Sequence, residues 1–79
     1  MDIAHLRKEI DLLDSKIVEL LNQRAKIVIK IGEIKKQNRA QVYAPSREQE
    51  VYSRITSQNK GPLTNDCLAA IYRELMAGS

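Results

Sequence analysis

Leucine and isoleucine recur at alternating steps of three and four residues along the first 34 residues of the chain. This spacing is typical of one face of an α-helix. Nine of the ten positions carry Leu or Ile, in the series Ile3, Leu6, Ile10, Leu13, Ile17, Leu20, Arg24, Ile27, Ile31 and Ile34. We call the nine apolar positions the apolar seam. The pattern predicts one long helix from Ile3 to about Gln37, with Asp2 as its N-cap, because no proline interrupts it.

A second, shorter helix is predicted after a loop at residues 38–45, where the seam pattern stops. Its apolar contacts come from Val51, Tyr52 and Ile55. Two starting points are open. Ser46 has the spacing of a capping box with Gln49, whereas a helix that begins at Pro45 has Ala44 before it, which caps poorly.

A third helix is predicted after the stretch "SQNKGP", whose glycine and proline indicate a turn. Thr64 is its expected N-cap, and Leu63 and Leu68 have the spacing of a hydrophobic staple. The apolar side of this helix is formed by Ile71, Tyr72, Leu75 and Met76.

The length of the first helix predicts a second copy of the chain. A helix of 35 residues is about 50 Å long, whereas a compact globule of this size has a radius of gyration of about 12 Å. Two short helices cannot cover such a length. The sequence therefore predicts a single all-α domain over residues 1–79 that forms a helical homodimer.

Composition excludes several classes of protein. The net charge of +3 comes from 13 basic and 10 acidic residues without a basic block, which suits a small anionic ligand better than nucleic acid. The single cysteine, Cys67, cannot form an internal disulfide, and one histidine, His5, provides no metal-ligand set. Without an apolar run of about 20 residues or a signal-peptide pattern after Met1, we expect a cytoplasmic protein.

Arg24 is the exception in the apolar seam, and its guanidinium keeps its proton. The positions three and four residues away hold no acidic side chain; they are Leu20, Leu21, Ile27 and Val28. Because burying a charge without an anion is costly, an anionic partner is expected. It is either a carboxylate of the protein, such as Glu48 or Glu74, or a bound anion. Arg24 could also be a polar residue that fixes the register of a dimer.

Other cations lie at spacings that suit an anionic ligand. Lys35 follows Arg24 by three helical turns at nearly the same azimuth, about 16 Å along the axis. Arg7 lies about 25 Å from Arg24 on the same helix, so it could approach the Arg24 of an antiparallel partner. Arg47 and Glu48 open the second helix, where free N–H groups favour an anion, although a solvated pair at a helix start is the simpler interpretation.

Three stretches together resemble one known family. "LRKEIDLLDSKIVELLNQRAKIVIKIGEIKK", "VYAPSREQEV" and "IYRELMAGS" contain LR, LLxxR, GxxK and PxRE at spacings similar to those of the all-helical chorismate mutases. The resemblance extends to mutase modules at the N-terminus of bifunctional mutase/prephenate dehydratases. It implies an intertwined antiparallel homodimer that converts chorismate to prephenate without a cofactor or metal. It also implies that residues 1–79 could be part of a longer chain.

The resemblance also implies roles for individual residues. Arg24, assisted by Ser79, would bind one carboxylate of chorismate, while Lys35 and the Arg7 of the partner chain would bind the other. Lys35 would also reach the ether oxygen whose bond breaks. Glu48 would accept a hydrogen bond from the ring hydroxyl, helped by the main chain near Ala44, and Arg47 would support this network.

Two positions depart from the family pattern. Ala44 stands where many relatives have Asp. Because alanine has no polar side chain, this change removes a helix cap and a side-chain contact to the hydroxyl. The family's second contact to the ether oxygen comes from a Gln or Glu one helical turn beyond the serine that matches Ser79, outside these 79 residues. We therefore expect weak turnover from this stretch alone.

A non-enzymatic helical module is the competing interpretation. Such a dimer would bind RNA or a protein through Lys26, Lys30, Lys36 and Arg39. Glu33 interrupts these residues and they form no continuous stripe, which favours a solvated face.

Overall fold

The computed structural model describes the backbone of residues 2–38 and 45–77. This part of the chain forms three helices and no strand: α1 (Ile3–Gln37), α2 (Pro45–Gln58) and α3 (Asn65–Ala77). The predicted all-α class, with one long and two short helices, is confirmed. The predicted loop lies mostly outside the described residues.

The first helix begins where the sequence predicted. Asp2 caps it, since Asp2 Oδ1 accepts a hydrogen bond of 2.8 Å from the backbone N–H of His5. The last turn carries Lys35 and Lys36, whose positive charges are favourable near the negative end of the helix dipole. Gly32 does not interrupt the helix. Its cost of about 1 kcal/mol relative to alanine is small against 35 residues of hydrogen-bonded backbone.

The second helix begins at Pro45, so the capping-box interpretation of Ser46 is wrong and the earlier start is correct. Proline suits a first helical position because its fixed φ is already helical and its missing N–H would have no partner there. Ser46 therefore lies within the first turn. The helix also extends through Gln58, two residues into the predicted break.

Asn59 organises the connection between α2 and α3. Its Nδ2 donates hydrogen bonds to the carbonyl oxygen of Leu63 and to Asn65 Oδ1, each 2.8 Å long. Its Oδ1 accepts from the N–H of Gly61 at 3.0 Å, where the backbone has a φ of 74° that favours glycine. The Asn59 side chain, at the start of the loop, is thus hydrogen-bonded both to the tip of the loop and to its far end.

The third helix has the predicted cap. The backbone N–H of Cys67 donates to Thr64 Oγ1 at 3.1 Å, as expected for an N-cap threonine. Leu68, Tyr72, Leu75 and Met76 are half-buried, whereas Ile71 is exposed.

The residues divide into two compact units, Met1–Ile34 and Lys35–Ser79. In the second unit α2 packs against α3, and Val51 and Ile55 are the buried apolar residues among those described. In the first unit no described residue is buried, and the apolar seam is exposed over its whole length. Ile10 and Ile27, for example, are 54% and 58% exposed. The first unit thus leaves its main apolar face uncovered within one chain.

The Asn59 hydrogen bonds predict a specific loss of stability. Asn59→Asp keeps the acceptor for Gly61 but removes both donated bonds and places a carboxylate against two oxygens. We expect the free energy of unfolding to fall by about 1–3 kcal/mol in chemical denaturation at fixed protein concentration. Asn22→Asp is the matched control, because its Nδ2 donates one exposed bond to the carbonyl of Val18. The control should change stability by less than about 0.5 kcal/mol. Equal losses in the two variants would contradict the role given to Asn59.

Candidate functional site

Five of the seven site residues predicted from the sequence lie in the described part of the chain. Arg7 and Arg24 belong to the first unit, and Lys35, Arg47 and Glu48 to the second. Ala44 and Ser79 lie outside the described residues, so their predicted roles stay predictions.

A sheltered face of α1 carries two of the predicted cations. The half-buried residues of this helix are Leu21, Arg24, Val28, Gly32 and Lys35. They follow one another at steps of three and four, so they share one side of the helix. Arg24 therefore lies where the apolar seam meets a second, more sheltered face. This face was not predicted from the sequence, although the apolar residues Leu21 and Val28 at helical spacing were its signal.

Arg24 is less exposed than its neighbours in the seam. Ile27 and Ile31, three and seven positions further, are exposed, whereas Arg24 is half-buried. Arg24 also takes part in a non-covalent interaction within the structure. Partial burial strengthens the electrostatic attraction between a guanidinium and an anion, because less water screens the charges.

Arg7 is exposed on the same continuous helix. Arg24 lies seventeen positions further along the helix, which corresponds to about 25 Å along the axis. Arg7 and Arg24 of one chain therefore cannot contact the same small molecule.

The start of α2 brings Arg47 and Glu48 into one helical turn, but their side chains have different surroundings. Glu48 is half-buried, lies three positions before the buried Val51 and takes part in an interaction within the structure. Arg47 is exposed, and its Nη1 lies 3.3 Å from Glu50 Oε2. Of the two residues, Arg47 is exposed, as a solvated pair at a helix start would be, whereas Glu48 is half-buried. Sequence reasoning missed Glu50, although opposite charges three residues apart on a helix were the signal.

The first turn of α2 is also favourable for an anion. Its leading N–H groups have no acceptor within the helix, and the positive end of the helix dipole lies there. Pro45 provides no N–H, so the donors begin at Ser46. Glu48 is the acidic residue of this turn.

An open groove runs along another side of α2. The residues that line it have polar side chains, and none of them is a predicted site residue: Ser46, Gln49, Glu50, Ser53, Arg54 and Ser57. The helical spacing of these residues shows that a single face of α2 forms the groove.

No candidate metal site occurs among the residues that the structure describes. They contain no group of three or more His, Cys, Asp or Glu side chains that could hold a metal ion. None of the described helices is long and apolar enough to cross a membrane. The lysines of the competing interpretation, Lys26, Lys30 and Lys36, are exposed, and so is Glu33 between them, whereas Arg39 lies outside the described residues.

Similarity to known proteins covers almost the whole chain. Residues 6–79 match the family described as chorismate mutase type II. The chain is 40% identical over 80 residues to a bifunctional chorismate mutase/prephenate dehydratase of Aquifex aeolicus, with 96% of this chain and 22% of that protein covered. It is 44% identical over 71 residues to the protein of the same name from Neisseria gonorrhoeae, covering 90% and 19%.

A solved structure shares the fold. Form I of the chorismate mutase from Thermus thermophilus superposes with a TM-score of 0.94 at 30% identity, covering 96% of this chain and 95% of that one. By contrast, the chain spans about a fifth of the length of the two curated relatives, 22% and 19%. With the family match extending over residues 6–79, the chain belongs to the type II chorismate mutase family.

Proposed function

We propose that this chain converts chorismate to prephenate, a step towards phenylalanine and tyrosine, and that it does so in the cytoplasm. The match to the mutase family over residues 6–79 carries the proposal. The sheltered face of α1 supports it, because two cations, Arg24 and Lys35, share that face about 16 Å apart along the axis, and their long side chains can lean towards one another around a small ligand with two carboxylates.

Each site residue has a proposed role. Arg24, with Ser79, binds one carboxylate of chorismate. Lys35 and the Arg7 of a second chain bind the other carboxylate, and Lys35 also donates to the ether oxygen. Glu48 accepts a hydrogen bond from the ring hydroxyl, helped by the main chain near Ala44, and Arg47 supports this network.

The reaction requires positioning and fixed charge. Chorismate rearranges within one molecule: the ether C–O bond breaks while a new C–C bond forms, and no proton or electron enters or leaves. The substrate must be held in a compact chair-like conformer, which cationic contacts at both carboxylates favour. Negative charge grows on the ether oxygen in the transition state, where the ammonium of Lys35 stabilises it. An acceleration of about a millionfold requires about 8 kcal/mol, which a few preorganised cationic contacts can supply.

The proposed site requires a second copy of the chain. Arg7 and Arg24 are about 25 Å apart on one helix, but an antiparallel partner brings its Arg7 towards this chain's Arg24. The same partner would cover the exposed apolar seam, where each buried Leu or Ile contributes about 1.5–3 kcal/mol. We therefore propose an intertwined antiparallel homodimer with two sites, each built from both chains.

A fused domain is also proposed for the longer protein. The curated relatives named above are bifunctional, with a prephenate dehydratase activity in their names. A dehydratase domain on the same chain would consume the prephenate that this domain releases.

The exposed seam predicts an obligate dimer. Sedimentation at micromolar concentration should give about twice the chain mass of 9.0 kDa. A highly helical, folded monomer at that concentration would contradict both the dimer and the shared sites.

Arg24→Ala tests the central cation of the site. We expect chorismate turnover to fall by about a hundredfold or more, because one fixed positive contact to the reacting molecule is lost. The melting temperature should stay near that of the wild type. Lys26→Ala is the matched control on an exposed position of the same helix, and it should keep full turnover. Unchanged turnover with a large loss of stability would instead assign Arg24 to a structural ion pair.

Mixed dimers test whether each site uses two chains. Arg7→Ala and Arg24→Ala chains should each be inactive alone, but their heterodimer contains one site in which both arginines are intact. Exchange of subunits should restore up to about half of the wild-type activity per heterodimer. The control heterodimer combines Arg24→Ala with Lys35→Ala, and it should stay inactive because each site then lacks one residue of its own chain. If subunit exchange is demonstrated and the first mixture shows no recovery, Arg7 does not act across the dimer.

A further inference from the structure

Arg47 lies at the border between two faces of α2. Glu48, the next residue, lies on the side of the buried Val51 and Ile55, which follow it by three and seven positions. Glu50, three positions after Arg47, lies on the other side and lines the polar groove. At 100° per residue, Glu50 is about 60° from Arg47 in one direction and Glu48 is about 100° away in the other.

The guanidinium of Arg47 is turned towards the groove. Its Nη1 donates to Glu50 Oε2 at 3.3 Å, and both side chains are more than half exposed, 57% for Arg47 and 67% for Glu50. This contact holds the positive charge on the Glu50 side of Arg47. In the structure, therefore, Arg47 does not point towards the side of α2 on which the proposed substrate hydroxyl would bind.

We propose that Glu50 is a positioning residue, which holds Arg47 in a resting position on the groove side of α2 until an anionic ligand binds beside Glu48. The proposal rests on the proposed function. Beyond that function, Arg47 has a second side-chain position, and Glu50 determines how often the guanidinium is available to the substrate.

The strength of the ion pair suits such an exchange. Ion pairs between exposed Arg and Glu side chains one helical turn apart are weak. The paired state is populated only about two to five times more than the unpaired state. A dianionic ligand in a sheltered site attracts a guanidinium more strongly than one exposed carboxylate does. The ligand can therefore replace Glu50 as the partner of Arg47. Because the Arg47–Glu50 ion pair must first break, the affinity of the wild-type protein for the ligand is lowered by the factor that favours the paired state.

Glu50→Gln tests the proposal, because it removes the charge while keeping the size and an acceptor oxygen. We expect the KM for chorismate to fall about two- to fivefold, because Arg47 is then more often available to bind the substrate. We expect kcat to stay unchanged, because Arg47 binds the ground state and the transition state equally well. Glu50→Asp retains the carboxylate and should keep KM close to the wild-type value. Calorimetric titration of chorismate or prephenate into the same proteins should give the same ratios.

Two controls separate the proposed contact from a general effect of charge. Glu19→Gln changes the net charge equally, but Glu19 contacts Gln23 rather than a cation, so KM should not change. In the Arg47→Ala background, Glu50→Gln should have no effect on KM or on the titrated affinity. A double-mutant cycle of this kind isolates the coupling between the two side chains.

The outcomes distinguish this inference from the proposed function. An unchanged or raised KM in Glu50→Gln, with the wild type active, would overturn the resting position of Arg47. A lowered KM that persists in the Arg47→Ala background would also overturn it, because Glu50 would then act through its charge alone. Absence of turnover and of chorismate binding in the wild type would instead contradict the proposed function, and this inference would fall with it.

Discussion

The 35-residue helix α1 carries an apolar face that its own chain leaves exposed to water. The proposed dimer and the proposed shared sites both depend on covering this face. Only two apolar residues among those described, Val51 and Ile55, are buried within the chain. A domain with so small a core gains little stability from its own packing. Most of the apolar area that could stabilise this fold therefore lies on the surface where a second copy is proposed to bind. In this arrangement stability and the completeness of the site come from the same association.

The placement of charge on α1 follows from the same helix. A cation on a half-buried face loses part of its hydration, so it attracts an anion more strongly. For the same reason it destabilises the fold when no anion is close to it. Arg24 and Lys35 occupy this kind of position, whereas Arg7, Lys26 and Lys30 are exposed. A helix can hold such cations at fixed separations because its hydrogen bonds are internal and its geometry is regular. That rigidity suits the proposed reaction, in which the substrate must be held in one conformation.

Local signals in the sequence predicted the fold well. The caps at Asp2 and Thr64 depend on one side chain and a nearby N–H group, so they could be read directly, and the structure contains both. Two local preferences, a capping box and a helical proline, compete at the start of α2, and the proline position is the one found.

Parts of the candidate site could be predicted less well. The azimuth of Arg24 followed from periodicity, but its partial burial depends on packing that no short motif encodes. The Arg47–Glu50 contact was missed because Arg47 was considered only with its sequence neighbour Glu48, although a helix places residues three apart side by side. The bridging role of Asn59 also escaped the sequence analysis, since its partners Leu63 and Asn65 meet it only after the chain has turned.

The uninterrupted helix between Arg7 and Arg24 restricts how this gene can change in length. Inserting one residue there would rotate everything beyond it by about 100° and advance it by about 1.5 Å, so Arg24 and Lys35 would change their azimuth relative to Arg7 and to the seam residues before the insertion. An insertion of seven residues nearly restores the azimuth but lengthens the helix by about 10 Å. Point substitutions leave this spacing intact, whereas small insertions and deletions destroy it. Length variation is therefore expected in the connections between helices and not within the 35 residues of α1.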